Sequence, residues 1–101
     1  MSKTIAIDFD DTFTADPEMW GEIIRLMKQR GHDPIMVTAR RDTLENNELI
    51  NVWLDKHKCQ MRIYFTGLAS KIQFMEKRGI RVDIWIDDDP CLLYTSPSPR
   101  D

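Results

Sequence analysis

Apolar residues along this chain fall into two rhythms that alternate from one end to the other. Residues 3 to 8, with the uninterrupted apolar run Ile5-Ala6-Ile7 at their centre, have the pattern of a strand covered on both faces, as in the middle of a parallel sheet. Trp20, Ile23, Ile24 and Met27 then recur at i, i+3, i+4 and i+7. With Asp16 as N-cap, Pro17 at the first helical position and Gly31 after a basic last turn, this predicts a helix over 17 to 30. A second strand is expected over 34 to 38. Thr43 is placed to cap a second helix whose apolar face reads Leu44, Leu49, Ile50, Trp53 and Leu54. A third strand follows from Met61 to Phe65, a third helix from Ala69 to Arg78 with Ile72 and Met75 inward and Gly79 closing it, and a fourth strand from Val82 to Ile86.

Strands alternating with helices predict βαβ crossovers, a parallel sheet and an α/β, three-layer Rossmann-like core. In such folds ligands gather outside the carboxyl ends of the strands, where strand order switches. Asp8, Thr38, Thr66 and Asp87 all fall at or just beyond those expected ends. A chain of 101 residues has room for one domain. The net charge of −3 argues against affinity built on coating nucleic acid with basic surface. No apolar run approaches the roughly 20 residues of a membrane-spanning helix. The first residues lead directly into a strand with no room for a secretory signal, so a cytoplasmic protein is expected. Cys59 and Cys91 are expected to be reduced and carry no functional weight.

The chemistry concentrates after the first strand. Asp8 and Asp10 arrive where a buried strand meets solvent, and an unpaired buried carboxylate is costly unless a cation or hydrogen bonds compensate it. A hard divalent ion such as Mg²⁺ suits oxygen donors of this kind.

Asp8, Asp10 and Thr12 form a D-x-D-x-T pattern that resembles the first motif of the haloacid dehalogenase-like phosphohydrolases. Three further motifs resemble that superfamily in the required order: Ile35-Met36-Val37-Thr38, Lys71 after Thr66-Gly67-Leu68-Ala69-Ser70, and Ile84-Trp85-Ile86-Asp87-Asp88-Asp89-Pro90. The resemblance covers residues 3 to 90 and implies a core domain over 1–90. It implies Asp8 as the nucleophile, Asp10 as general acid and base, Thr38 as a hydroxyl donor to the phosphoryl oxygen, and Lys71 as the cation that holds Asp8. Mg²⁺ would be held by Asp8, the Asp10 carbonyl and Asp87, with Asp88 either ligating through water or orienting the shell. Asp11, Thr12, Arg40 and Arg41 join the candidate phosphate-binding set, since guanidinium groups suit bidentate recognition; for the two arginines a solvated helix start is the equal alternative.

Only Phe13, Thr14 and Ala15 separate the first motif from the first helix, so no cap domain is expected and the chain resembles the small uncapped type found in bacteria and phages. The expected activity is Mg²⁺-dependent hydrolysis of a nucleotide or other phosphorylated metabolite. The alternative is a binding protein that sequesters a phosphorylated signalling nucleotide with little turnover. An open site also suggests a homo-oligomer, with Phe13, Arg41 and Leu68 close to a neighbouring chain. Trp20, Trp53 and Trp85 are read as packing residues, and His32 and His57 as surface residues. Residues 91–101, rich in Ser and Pro, are expected outside the fold; they resemble a translated adapter sequence, so the native C-terminus is expected to be missing.

Overall fold

The computed structural model describes residues 2–89, and within them the two rhythms become four strands and three helices. The apolar runs give β1 (Thr4–Ile7), β2 (Asp33–Thr38), β3 (Ile63–Phe65) and β4 (Ile84–Ile86). The helical stretches give α1 (Pro17–Gln29), α2 (Leu44–Lys56) and α3 (Lys71–Lys77), with a single 3₁₀ turn at Phe13–Ala15. All strand pairs are parallel and the order is β3-β2-β1-β4. The α/β, Rossmann-like architecture expected from the pattern is therefore present, as helices packed on both faces of a four-stranded sheet.

The period of two along each strand sorts side chains between two cores. Ile5, Ile7 and Met36 face one side, where Ile24 of α1 and Ile50 and Leu54 of α2 cover them. Ala6, Ile35 and Val37 face the other, where Met75 of α3 covers them. Trp20 and Trp53 pack against the first core and Trp85 against the second, in line with the packing reading.

Local signals set the helix ends. The Asp16 carboxylate accepts from the Met19 N–H at 3.2 Å and the Thr43 hydroxyl from the Asn46 N–H at 3.1 Å. Helix α3 begins at Lys71 rather than Ala69, because Ser70 takes the cap position and accepts from the Gln73 N–H. The apolar face of α2 is narrower than expected: Leu44 is 76% exposed and Leu49 39%. With roughly 100° per residue, Trp53 and Leu54 lie within about 60° of Ile50, whereas Leu49 and Leu44 sit about 100° and 120° away.

Two other expectations are corrected. Phe13 is fully buried, stacked on Phe9 at 6.1 Å between ring centroids, so its side chain offers no surface to a neighbouring chain. His57 and His32 are both half-buried rather than surface residues; the His57 ring stacks on Trp53 and meets Phe13 edge-on while its carbonyl accepts from Arg25, and His32 Nδ1 accepts from the Lys3 N–H. Cys59 is buried and unbridged, and burial raises its thiol pKa. Cys91 and the tail over 91–101 lie outside the described residues. Among the described residues no helix is long and apolar enough to cross a membrane.

Candidate functional site

The strand order locates the site before any side chain is considered. From β1 the chain steps outward to β2 and β3, then returns across the sheet to place β4 on the other side of β1. The carboxyl ends of β1 and β4 therefore flank the switch point, where neighbouring connections leave in opposite directions and open a crevice. Asp8 follows β1 and Asp87 follows β4, and the Asp8 N–H donates to the Ile86 carbonyl at 2.9 Å, drawing the two strand ends together.

Lys71, the first residue of α3, reaches into this point. Its ammonium lies 2.8 Å from Asp8 Oδ1 and 2.5 Å from Asp87 Oδ2. The Lys71 side chain is 0% exposed and those of Asp8 and Asp87 are 5% and 2% exposed. Burying one such charge without partners is costly, so the cation and both anions depend on one another. The remaining oxygen of Asp87 accepts from the Asp89 N–H at 2.9 Å.

The cluster is unbalanced towards negative charge. Carboxylate oxygens of Asp8, Asp87 and Asp88 all lie within 4.8 Å of one another, with Lys71 as the cation between two of them. The Asp8 carboxyl is pushed up to about 6, chiefly by burial, with Asp87 and Asp88 adding to the rise and Lys71 opposing it. A carboxyl raised in this way reflects first its removal from water and only then the neighbouring carboxylates. Three carboxylates with hard oxygen donors fit Mg²⁺ or a similar divalent ion better than a soft metal.

Asp10 is engaged elsewhere. Its two oxygens accept from Arg40, Oδ2 from Nε at 2.9 Å and Oδ1 from Nη2 at 2.8 Å. This pairing raises the Arg40 pKa. Arg40 Nη1 donates to Asn46 Oδ1 at 2.9 Å, and the guanidinium carbon stands 5.4 Å from the centre of the Phe9 ring. Thr38 is fully buried and its hydroxyl accepts from the Arg40 N–H at 3.2 Å. Thr12 is buried and its hydroxyl donates to Asp88 Oδ1 at 3.5 Å. Asp11 is an exposed turn residue with φ 62°, its N–H donating to the Thr14 hydroxyl. Arg41 is exposed.

The structure thus brings Asp8, Lys71, Asp87 and Asp88 into one cluster, adjoined by Thr12, and gathers Asp10 and Arg40 into a second group beside Thr38. Sequence reading missed Asn46, which has the look of an ordinary residue in the first turn of a helix. Its position three residues after the Thr43 cap was the available signal. An open cleft of about 290 Å³ adjoins the acids, lined by Thr12, Ala15, Trp20, Ile86, Asp87 and Asp88 among others. A larger hollow of about 370 Å³, between α3 and Trp85, contains none of the strand-end acids. No family model matches the chain, and neither a curated protein nor a solved structure does.

Proposed function

We propose that this protein is a haloacid dehalogenase-like, Mg²⁺-dependent phosphomonoester hydrolase without a cap, acting on a nucleotide or another phosphorylated metabolite through an aspartyl-phosphate. The observation that carries the reading is the buried Lys71 ammonium shared between Asp8 and Asp87 at the β1/β4 switch point. A lysine whose charge is spent on two carboxylates fixes one oxygen of Asp8 and leaves the other for chemistry.

The other oxygen of Asp8 attacks phosphorus while the bond from phosphorus to the leaving oxygen breaks, and the leaving oxygen takes a proton from Asp10. In the second step water attacks the same phosphorus, the bond to Asp8 breaks, and the water's proton passes to Asp10. Phosphoryl transfer needs little beyond positioning and charge neutralisation, and clustered strand-end groups suit that demand. Asp8, the Asp10 carbonyl, Asp87 and Asp88 would hold Mg²⁺, which when bound would supply charge neutralisation at the phosphoryl oxygens. The cleft beside Asp87 and Asp88 offers room for the leaving group.

Screening a panel of phosphorylated metabolites for phosphate release in Mg²⁺, beside equilibrium binding of the same panel, tests the proposal. Turnover of at least one compound, lost by about a thousandfold or more in Asp8→Asn with the fold retained, is expected. Tight binding of a nucleotide without turnover would replace hydrolysis by sequestration.

A further inference from the structure

Arg40 follows a strand-end threonine and has the chemistry of a phosphate ligand, yet its contacts point elsewhere. The edge of the guanidinium that carries Nε and Nη2 is spent on the two oxygens of Asp10, at 2.9 and 2.8 Å. The third nitrogen is held by Asn46 Oδ1 at 2.9 Å. Asn46 is itself fixed twice, its N–H donating to the Thr43 hydroxyl at 3.1 Å and its side-chain nitrogen to the Arg41 carbonyl at 2.9 Å. The Arg40 backbone N–H is anchored on Thr38 Oγ1, and the Phe9 ring lies beneath the head group. Both ends of this side chain are therefore tied down.

The pair is partly open to solvent, with Arg40 32% and Asp10 47% exposed. A single bond between two such side chains would hold geometry loosely, because rotamer entropy competes with it. A fork with a third bond and a ring beneath it restricts the guanidinium far more, and planar bidentate geometry carries directional information that a point charge lacks. Each carboxylate oxygen offers about two lone-pair directions. The fork uses one on each oxygen of Asp10, so a lone pair remains on the side away from Arg40.

We infer that Arg40 is a positioning residue: it orients the Asp10 carboxylate so that a remaining lone pair takes the proton of the attacking water, and Asn46 holds Arg40 in that pose. The inference rests on the hydrolase reading and adds to it a division of labour. Lys71 serves the nucleophile and Arg40 serves the acid–base residue. Arg40 does not grip the substrate's phosphate.

The test measures kcat and KM for p-nitrophenyl phosphate in Mg²⁺, with the inhibition constant of inorganic phosphate, for wild type, Arg40→Ala, Arg40→Lys, Asn46→Ala and Asp10→Asn with and without Arg40→Ala. Misorienting a catalytic group costs up to about a hundredfold. Arg40→Ala and Arg40→Lys are expected to lower kcat by about 10- to 100-fold, with KM and the phosphate constant within about twofold of wild type. Asn46→Ala should show a smaller loss of the same kind, and Arg40→Ala should cost nothing further in Asp10→Asn. The Arg40 Nε–H resonance should be slow to exchange in wild type and fast in Asp10→Asn. A phosphate constant raised about tenfold with kcat preserved would make Arg40 a ligand. Unaltered kinetics in Arg40→Ala, a loss that multiplies fully with Asp10→Asn, or an Nε–H equally exposed in both proteins would each overturn the inference while leaving the hydrolase reading in place. Wild-type protein that hydrolyses nothing would overturn the hydrolase reading and this inference with it. Should Arg40→Ala fold poorly, Arg40→Lys and Asn46→Ala decide the matter.

Discussion

The Lys71 ammonium stands 2.8 Å from Asp8 Oδ1 across 63 residues of sequence, joining the start of α3 to the end of β1. Because the same nitrogen also meets Asp87 beyond β4, one buried cation ties the helix to two neighbouring strands. Replacing it by a methionine of similar length would keep much of the packing and leave Asp8 and Asp87 facing one another without a counter-charge. Breaking a buried pair in this way costs about 3–5 kcal/mol. Urea unfolding of Lys71→Met in the presence of a chelator should show a loss of that order. Millimolar Mg²⁺ should recover part of it, and should stabilise the variant more than wild type. A loss below about 1 kcal/mol would mean that the pair contributes no more than a surface contact.

Asp8 gives the stability a pH dependence of definite sign. Its carboxyl is raised from 3.8 to about 6, first by burial and then by Asp87 and Asp88 against the opposing pull of Lys71. Between those two values the native state keeps a proton that the unfolded chain has released. The stability linked to that proton is therefore fully present below 3.8 and lost as pH rises through about 6. For this one group the slope is at most about 1.4 kcal/mol per pH unit. In chelator, the difference in unfolding free energy between wild type and Asp8→Asn should move in the variant's favour as pH rises from 4 to 6 and stay level above. A difference independent of pH would show that Asp8 does not titrate in that window.

The sequence carried the fold where periodicity and caps agreed. Asp16, Pro17 and the spacing of Trp20, Ile23, Ile24 and Met27 specify α1 on local grounds, and the uninterrupted Ile5-Ala6-Ile7 specifies a doubly covered strand. The members of the acid cluster were legible for a related reason, since each sits where a strand or helix boundary can be read. What could not be read was the direction in which a side chain turns. Arg40 could equally face a ligand, solvent or Asp10, and the choice is made by Asn46 and Phe9 through contacts between loops that no spacing encodes. His57 differs in part: its stack on Trp53, four residues earlier at the end of α2, is local, but its edge-on contact with Phe13 forms only once the loop after β1 has packed against α2.

Gly21 records how tightly that packing closes. A β-carbon there would come within 3.1 Å of His57 Cβ and 3.3 Å of the His57 carbonyl. Alanine would improve helix propensity by about 1 kcal/mol, whereas overpacking a buried contact costs typically 1–3 kcal/mol. The second effect should prevail, since one of the crowded atoms is backbone and cannot rotate away. Gly21→Ala is expected to be net destabilising by up to about 2 kcal/mol in denaturant unfolding. A gain in stability would show that the end of α2 can shift by a few tenths of an ångström at little cost.

Asp88 separates cation binding from folding. Unlike Asp8 and Asp87 it is exposed and has no contact with Lys71 among those described; its carboxylate is met by the Thr12 hydroxyl at 3.5 Å and lies against the Asp8 carboxyl, whose rise it adds to. Asp87, by contrast, has one oxygen on Lys71 and the other on the Asp89 N–H, so its substitution would disturb the local structure as well as any ion. Asp88→Asn removes charge while leaving the buried pairs intact. If the strand-end acids hold Mg²⁺, this variant should bind it about tenfold more weakly or worse by calorimetry, while its unfolding free energy in chelator falls by no more than about 1 kcal/mol, the net worth of one hydrogen bond. Affinity should also weaken below pH 6 in wild type, where a proton competes with the ion for Asp8. Unchanged Mg²⁺ affinity in Asp88→Asn would remove that residue from the cation site and leave Asp8 and Asp87 to hold the ion without it.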